Sequence, residues 1–271
     1  MKQREYIDKE HSLVSVIVPT HNSARTLSRC LESVARQSYK HVELVVVDRY
    51  SNDRTREIAA THGAIVLLAG PERSSQKNWG ATHAKGALLY FVDSDFVLEP
   101  DVVATCTGLC KDFDGVTTVN YSVGKGLWGK SIALKEHFLA HDPTIQTVRF
   151  IKKDVFLGTG GFDESLVVGE DLDLHGRLLD SYARIGSANA IEWHIGEPET
   201  LMDVVKRSVY YGKTVGRYFR KRKGVARRQL SPFKPGLSLM LIRTGSPYLV
   251  SLFVVDVTRW LSSIVGLLSS N

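Results

Sequence analysis

Four short apolar runs, each separated from the next by a helix-like stretch, constrain this chain more than any other feature. Residues 13–18, 42–47, 64–68 and 87–92 are rich in Val, Leu and Ile and read as strands, the first as a buried one and the last as one buried on both faces. Pro19, which has no N–H for a ladder, is expected to stop the first run. Thr20, His21, Asn22 and Ser23 then supply turn and cap groups, and Leu27, Leu31 and Val34 share one helical face. A second helix is expected to open at 52–55 and a third to cover 76–85. Strands alternating with helices predict parallel strands joined by right-handed crossovers. With 271 residues and 43% hydrophobic content, the chain has the material for a sizeable core.

The fourth run ends in Asp93-Ser94-Asp95. Ligands of open α/β sheets bind beyond the carboxyl ends of central strands. Two hard oxygen donors there suit Mg²⁺ or Mn²⁺ that also holds a substrate's phosphates. The competing reading is a turn whose aspartates cap backbone amides. Neither G-x-G-x-x-G nor a Walker A sequence follows the first run, which weighs against a dinucleotide dehydrogenase or a P-loop enzyme.

Several further motifs occur in order along the chain: Val16-Ile17-Val18-Pro19-Thr20-His21-Asn22, Val47-Asp48 with Ser51-Asn52-Asp53-Arg54-Thr55, and Lys77-Asn78-Trp79-Gly80 with Ala84-Lys85-Gly86. Beyond the D-x-D come Gly160-Gly161-Phe162-Asp163-Glu164 and Gly169-Glu170-Asp171-Leu172-Asp173-Leu174, followed by Arg177-Leu178. Together they resemble the family 2 glycosyltransferases over residues 13 to about 215. The resemblance implies a GT-A nucleotide-diphospho-sugar transferase fold, Rossmann-like with a mostly parallel central sheet, over residues 1–200. It implies a nucleotide-sugar donor contacted by Pro19, His21, Asn22, Asp48, Arg73, Lys77 and Asp93. Where the family usually reads Asp-Asp-Gly-Ser, this chain has Asp48-Arg49-Tyr50, so the base contact does not carry over.

Sugar transfer needs a stabilised diphosphate leaving group and a base for the acceptor. The resemblance places Mn²⁺ or Mg²⁺ on Asp95, with Asp93 toward the ribose or the metal's waters and His194 as a possible third ligand. A lone histidine at a strand end is also an ordinary structural residue. Arg73 and Lys77 are expected near the diphosphate. Asp171 is expected to be the general base of an inverting displacement, supported by Glu170 and Asp173, although first-turn carboxylates also simply complement a helix dipole. Asp163 is either an acceptor contact or a turn former. Leu174, Leu178 and Leu179 are expected on the apolar face of that helix, and 124–130 as a mobile glycine-rich loop.

The charge is unevenly spread. Residues 1–200 carry a net −5 and residues 201–271 a net +11. The basic part begins with an expected helix over 199–218 and continues through Arg217, Arg220, Lys221, Arg222, Lys223, Arg227 and Arg228 without one acid. It ends in an apolar stretch, 248–268, interrupted only by Asp256 and Arg259, one helical turn apart and expected to pair. A polybasic segment followed by an apolar helix forms a two-signal anchor for an anionic bilayer. Residues 201–271 therefore read as a helical extension apposed to the cytoplasmic face of the cell membrane, peripheral or monotopic, and the acceptor as lipid-linked, a polyprenyl phosphate or a glycolipid. The competing readings are a soluble acceptor, or an inactive module that binds nucleotide-sugar or nucleic acid through its basic tail. The three cysteines lack metal-ligand spacing and are expected to be structural thiols, and the polar residues 1–11 do not read as a secretory signal.

Overall fold

The computed structural model describes residues 12–229, 231, 235–243 and 245–269; the first eleven residues of the N-terminal reading lie outside this range. The four apolar runs form β1 (Val14–Thr20), β2 (Val42–Asp48), β3 (Ile65–Leu68) and β4 (Leu88–Phe91). Between them run α1 (Leu27–Ala35), α2 (Thr55–Thr61) and α3 (Arg73–His83). These four strands pair in parallel in the order β3-β2-β1-β4.

The sheet continues with four strands: β5 (Phe96–Leu98), β6 (Gly115–Ser122), β7 (Val148–Lys152) and β8 (Ile185–His194). The order is β3-β2-β1-β4-β7-β6-β8-β5; β7 is antiparallel to both neighbours, β8 is parallel to β6, and β5 closes the edge antiparallel to β8. The remaining helices are α4 (Val102–Leu109), α5 (Gly126–Leu139), α6 (Lys153–Gly158), α7 (Glu170–Asp180), α8 (Leu201–Lys221), α9 (Lys223–Gln229), α10 (Pro235–Arg243) and α11 (Leu249–Leu268).

Contrary to expectation, Pro19 does not end β1: it pairs with Val47, and Thr20 with Asp48. Ile17 accepts from the Val92 amide on the β4 side, whereas Thr20 accepts from Arg49 on the β2 side. The missing Pro19 N–H therefore faces β4, whose pairing ends at Phe91, and no ladder bond is lost.

Alternation along β1 and β4 builds a core on each side of the sheet. Val16, Val18 and Tyr90 pack with α1 and α4 on one side. Ile17, Leu89 and Phe91 pack with Phe156, Phe162, Leu174 and Leu178 on the other. The Phe91 ring lies 4.9 Å from Phe156 and 5.0 Å from Phe162, contacts that contribute about 0.5–1.5 kcal/mol each beyond area burial. Leu179, expected on the buried face of α7, is 52% exposed, because only Leu174 and Leu178 point inward. The three cysteines are buried and free.

The C-terminal helices correct three expectations. The glycine-rich 124–130 segment does not form a mobile loop, since α5 already starts at Gly126. Asp256 and Arg259 do not pair with each other: Asp256 accepts from Lys135 at 2.6 Å and Arg259 reaches Glu136 at 3.8 Å, both on α5. Finally, Lys221 and Arg222 are bound into the acidic body. Lys221 reaches Asp163 at 2.7 Å and Asp173 at 2.8 Å, and Arg222 reaches Asp180 at 2.7 Å.

Candidate active site

The site forms where the carboxyl ends of β1, β2 and β4 meet, the crevice at which an α/β sheet reverses its strand order. A cavity of about 310 Å³ is lined there by Pro19, Thr20, His21 and Ser23, by Arg49, by Arg73 and Gln76, and by Asp93, Ser94 and Asp95; Arg207, Tyr210 and Tyr211 of α8 close it. A second cavity of about 990 Å³ adjoins it, with Arg207 and Tyr211 lining both.

The two aspartates of the D-x-D face different partners. Asp93 sits between two buried cations, Lys77 at 3.4 Å and Arg149 at 3.3 Å. Burial alone would raise its pKa, but these cations hold it below the usual carboxylate range. Its Oδ1 has no hydrogen-bond partner among the described residues. Asp95 instead faces His194, with Nε2 3.0 Å from Oδ2. The other ring nitrogen of His194 lies 2.8 Å from Glu197 Oε1. Burial would lower the histidine's pKa, but its hydrogen bonds to Asp95 and Glu197 raise it to about 10, so the ring is an imidazolium that donates from both nitrogens. Gly196 is required beside this pair: a Cβ there would lie 2.0 Å from Asp95 Oδ2.

Asp171 occupies the first turn of α7, which opens at Gly169 with φ 78°. Any larger residue at 169 would also strike the Tyr218 ring at 2.7 Å. Lys77 reaches Asp171 Oδ1 at 3.3 Å, and the carboxylate keeps 31% of its side-chain surface exposed. Glu170 is buried and bound to Arg73 at 3.0 Å; burial raises its pKa against the pull of that guanidinium. Lys77, expected beside the diphosphate, is 1% exposed and serves as the bridge between Asp93 and Asp171.

Asp48 is fully buried and lines neither cavity. It accepts from Thr20 Oγ1 at 2.9 Å and from the Ser51 amide at 2.8 Å, which pins the loop after β2. Asn22, with φ 49°, joins the loops after β1 and β2 by accepting from the Asn52 amide and donating its own amide to Ser51 Oγ. His21 touches the Arg49 carbonyl at 2.9 Å and reaches the cavity. Asp163 is held by Lys221 and the Ser165 amide, which lower its pKa to about 2 although burial opposes them.

Several residues here carry no sequence motif. Arg149, on β7, bridges Asp93 and Glu192 and lies over the Phe96 ring at 4.3 Å. A charge inside the apolar run Val148-Arg149-Phe150-Ile151 was the available signal. Gln76 donates to the Thr20 and Val47 carbonyls and so fixes the floor of the cavity.

The donor set at Asp95 and His194 fits a divalent cation. Carboxylate and imidazole suit Mn²⁺ better than Mg²⁺, and Glu197, accepting from the other ring nitrogen, fixes the orientation of the histidine. No group of three His, Cys, Asp or Glu side chains converges as a complete cage among the described residues. The remaining ligands would have to come from phosphate oxygens and water.

Residues 15–163, more than half of the chain, match the model for "Glycosyl transferase family 2". The chain belongs to the family 2 glycosyltransferases. Among curated family relatives, the glycosyltransferase AglE of Haloferax volcanii is 28% identical over 222 residues, 74% of this chain and 72% of that protein. An uncharacterized glycosyltransferase of Rickettsia typhi is 27% identical over 202 residues, and the match spans 66% of this chain and only 61% of that relative. Solved glycosyltransferase structures share the fold. The mannosyltransferase PcManGT from Pyrobaculum calidifontis, in complex with GDP-Man and Mn²⁺, superposes with a TM-score of 0.64 at 18% identity, covering 95% of this chain and 87% of that one. TarS 1-349 of S. aureus, in complex with UDP-GlcNAc, gives 0.55 at 17% identity over 91% and 81%.

Proposed function

We propose that this chain is a metal-dependent, inverting glycosyltransferase that moves a sugar from a nucleotide-sugar to a lipid-linked acceptor. One observation carries the reading: Asp93 and Asp171, far apart in sequence, share the Lys77 ammonium at 3.4 and 3.3 Å. The candidate base therefore stands beside the D-x-D crevice, as a single displacement requires.

In this reading the nucleotide lies along Pro19, His21 and Arg73, with Asp93 toward the ribose. Asp95 and His194 would hold the cation, which when bound offsets charge on the departing diphosphate. Asp171 takes the acceptor's proton as the acceptor oxygen bonds to the anomeric carbon and the bond to the diphosphate breaks. Lys77 holds the Asp171 carboxylate in place, and Tyr211 and Arg207 stand where the two cavities meet. The complexes of PcManGT with GDP-Man and Mn²⁺ and of TarS with UDP-GlcNAc support a nucleotide-sugar donor and a cation.

The membrane part of the reading rests on α11. It is long and apolar enough to cross a bilayer, with mean hydropathy 1.5. Its Asp256–Lys135 pair ties it to the body, which favours a helix lying in the interface. Val250, Phe253, Leu261, Val265 and Leu268 are exposed along its outer side. Residues 1–200 then act as the catalytic domain and 201–271 as the extension that both closes the site and meets the cytoplasmic leaflet.

The test is donor turnover. Mn²⁺ should support release of nucleotide from one member of a nucleotide-sugar panel, and EDTA or Asp95→Ala should abolish it while the far-ultraviolet circular dichroism stays unchanged. Full turnover in EDTA contradicts the metal-dependent reading.

A further inference from the structure

The second cavity has a polar end and an apolar end. Its polar end lies at the Asp95–His194 junction and presents Asn120, Ser122, His194 and Glu197. Its apolar end lies between α8 and α11, walled by Val215, Phe219, Trp260, Ile264 and Leu267. Phe219, Trp260 and Leu267 are also partly exposed, so the apolar end opens beside the outer stripe of α11.

The cations of the cavity already have partners. Lys135 reaches Asp256 at 2.6 Å, Arg207 reaches the Gly196 carbonyl at 2.6 Å and Glu197 at 3.6 Å, and Arg259 reaches Glu136 at 3.8 Å. Among the cavity's side chains, the group left unanswered is an acceptor: Asn120 Oδ1 is buried with no hydrogen-bond partner among the described residues. Lys135, Arg207, Arg259 and His194 are all paired, and Glu136 and Glu197 also line the cavity. A neutral hydroxyl-bearing head therefore suits it better than a phosphate dianion, which would be buried with no cation left to answer it.

The geometry points to this cavity as the seat of an amphiphilic acceptor whose hydroxyl-bearing head lies against Asn120 and whose hydrocarbon chain runs between α8 and α11. The inference rests on the glycosyltransferase reading, since it makes the second cavity the acceptor side of the junction, and it selects a glycolipid head over a bare polyprenyl phosphate. At about 990 Å³ the cavity reaches the upper size of small-molecule sites, enough for a sugar and part of a chain.

Calorimetric titration of the full chain with octyl, decyl and dodecyl glucoside, each below its micelle concentration, tests this directly. Affinity should rise about fourfold per methylene, with free glucose far weaker. Val215→Trp, which fills the apolar end, and Ile264→Asp, which charges it, should each flatten that chain-length slope and weaken dodecyl glucoside at least tenfold. Asn120→Leu should weaken all three glucosides by a common factor and leave the slope intact. An unchanged slope in both wall variants would place the chain on the outer surface of α11 and overturn the proposal; so would a flat slope in the wild type. Nucleotide binding with Mn²⁺, measured on the same samples, separates the two readings. If it persists while the glucosides fail, only the cavity assignment falls; if it is absent while the glucosides bind as stated, the donor reading falls and the amphiphile site stands.

Discussion

Lys77 Nζ stands 3.3 Å from Asp171 Oδ1, so one ammonium from α3 connects the first turn of α7 to the D-x-D crevice. The lysine is 1% exposed, lies 5.0 Å from the Phe162 ring centroid and also faces Asp93 at 3.4 Å. Its pKa is raised: burial works against the charge, and the carboxylates outweigh it. Lys77→Met leaves the buried Asp93 with Arg149 alone, a cation it shares with Glu192, so urea unfolding should show a loss of about 3–5 kcal/mol. A loss below about 1 kcal/mol would mean that Arg149 alone satisfies Asp93.

The His194 ring titrates in a predictable sense. Its folded pKa, raised to about 10, exceeds the ordinary value near 6.5. Its stabilising contribution is therefore complete below about pH 6.5 and is lost as pH rises through about 10. In EDTA, the melting temperature of the wild type should fall over that interval more than that of His194→Gln. A cation on Nε2 must displace a proton, so Mn²⁺ affinity should climb up to about tenfold per pH unit below pH 10. A pH-independent Mn²⁺ affinity would remove His194 from the ligand set.

Much of the fold was legible because β1 and β4 are buried on both faces and such strands read as apolar runs whatever the tertiary details; β3, at the sheet edge, reads the same way although Ile65 and Leu68 are exposed. Asp93, Asp95 and Asp171 were legible as motif positions, since the D-x-D closes a strand and Asp171 opens a helix. Their partners were not. Arg149 belongs to a strand antiparallel to β4, and nothing local to Val148–Lys152 says which carboxylate it will meet. Asp256 has an opposite charge one turn away on its own helix, yet the closer cation in the fold is Lys135, because α11 packs against α5. Lys221 and Arg222 read as part of a free basic run until the acidic side of α7, Asp173 and Asp180, comes within reach.

That last correction changes how the tail is to be tested. Lys213, Arg220 and Lys223 are exposed, whereas neutralising Lys221 or Arg222 would strip partners from the buried Asp173. Replacing Lys213, Arg220 and Lys223 with Gln should weaken binding to anionic liposomes by up to about fivefold per charge at low salt, and raised salt should erase the difference. Phe253→Asp with Leu261→Asp should remove the component that salt leaves untouched. Wild-type protein that ignores liposomes but shifts RNA at moderate salt would contradict the membrane reading.

Asp48 is a loop anchor in this structure. Asp48→Ala leaves the Thr20 hydroxyl and the Ser51 amide without their acceptor, and should cost about 1–3 kcal/mol of stability in chemical denaturation. Wild-type stability with abolished nucleotide binding would instead make Asp48 a direct ligand.

Asp171→Asn tests the central claim most directly, because it keeps the shape of the side chain and removes its ability to accept a proton. Turnover of the preferred nucleotide-sugar should drop by about 10²-fold or more while Mn²⁺-dependent nucleotide binding persists, and NMR of the wild-type product should show the anomeric configuration inverted relative to the donor. Wild-type turnover by Asp171→Asn, or a product that retains the donor's configuration, would contradict the account.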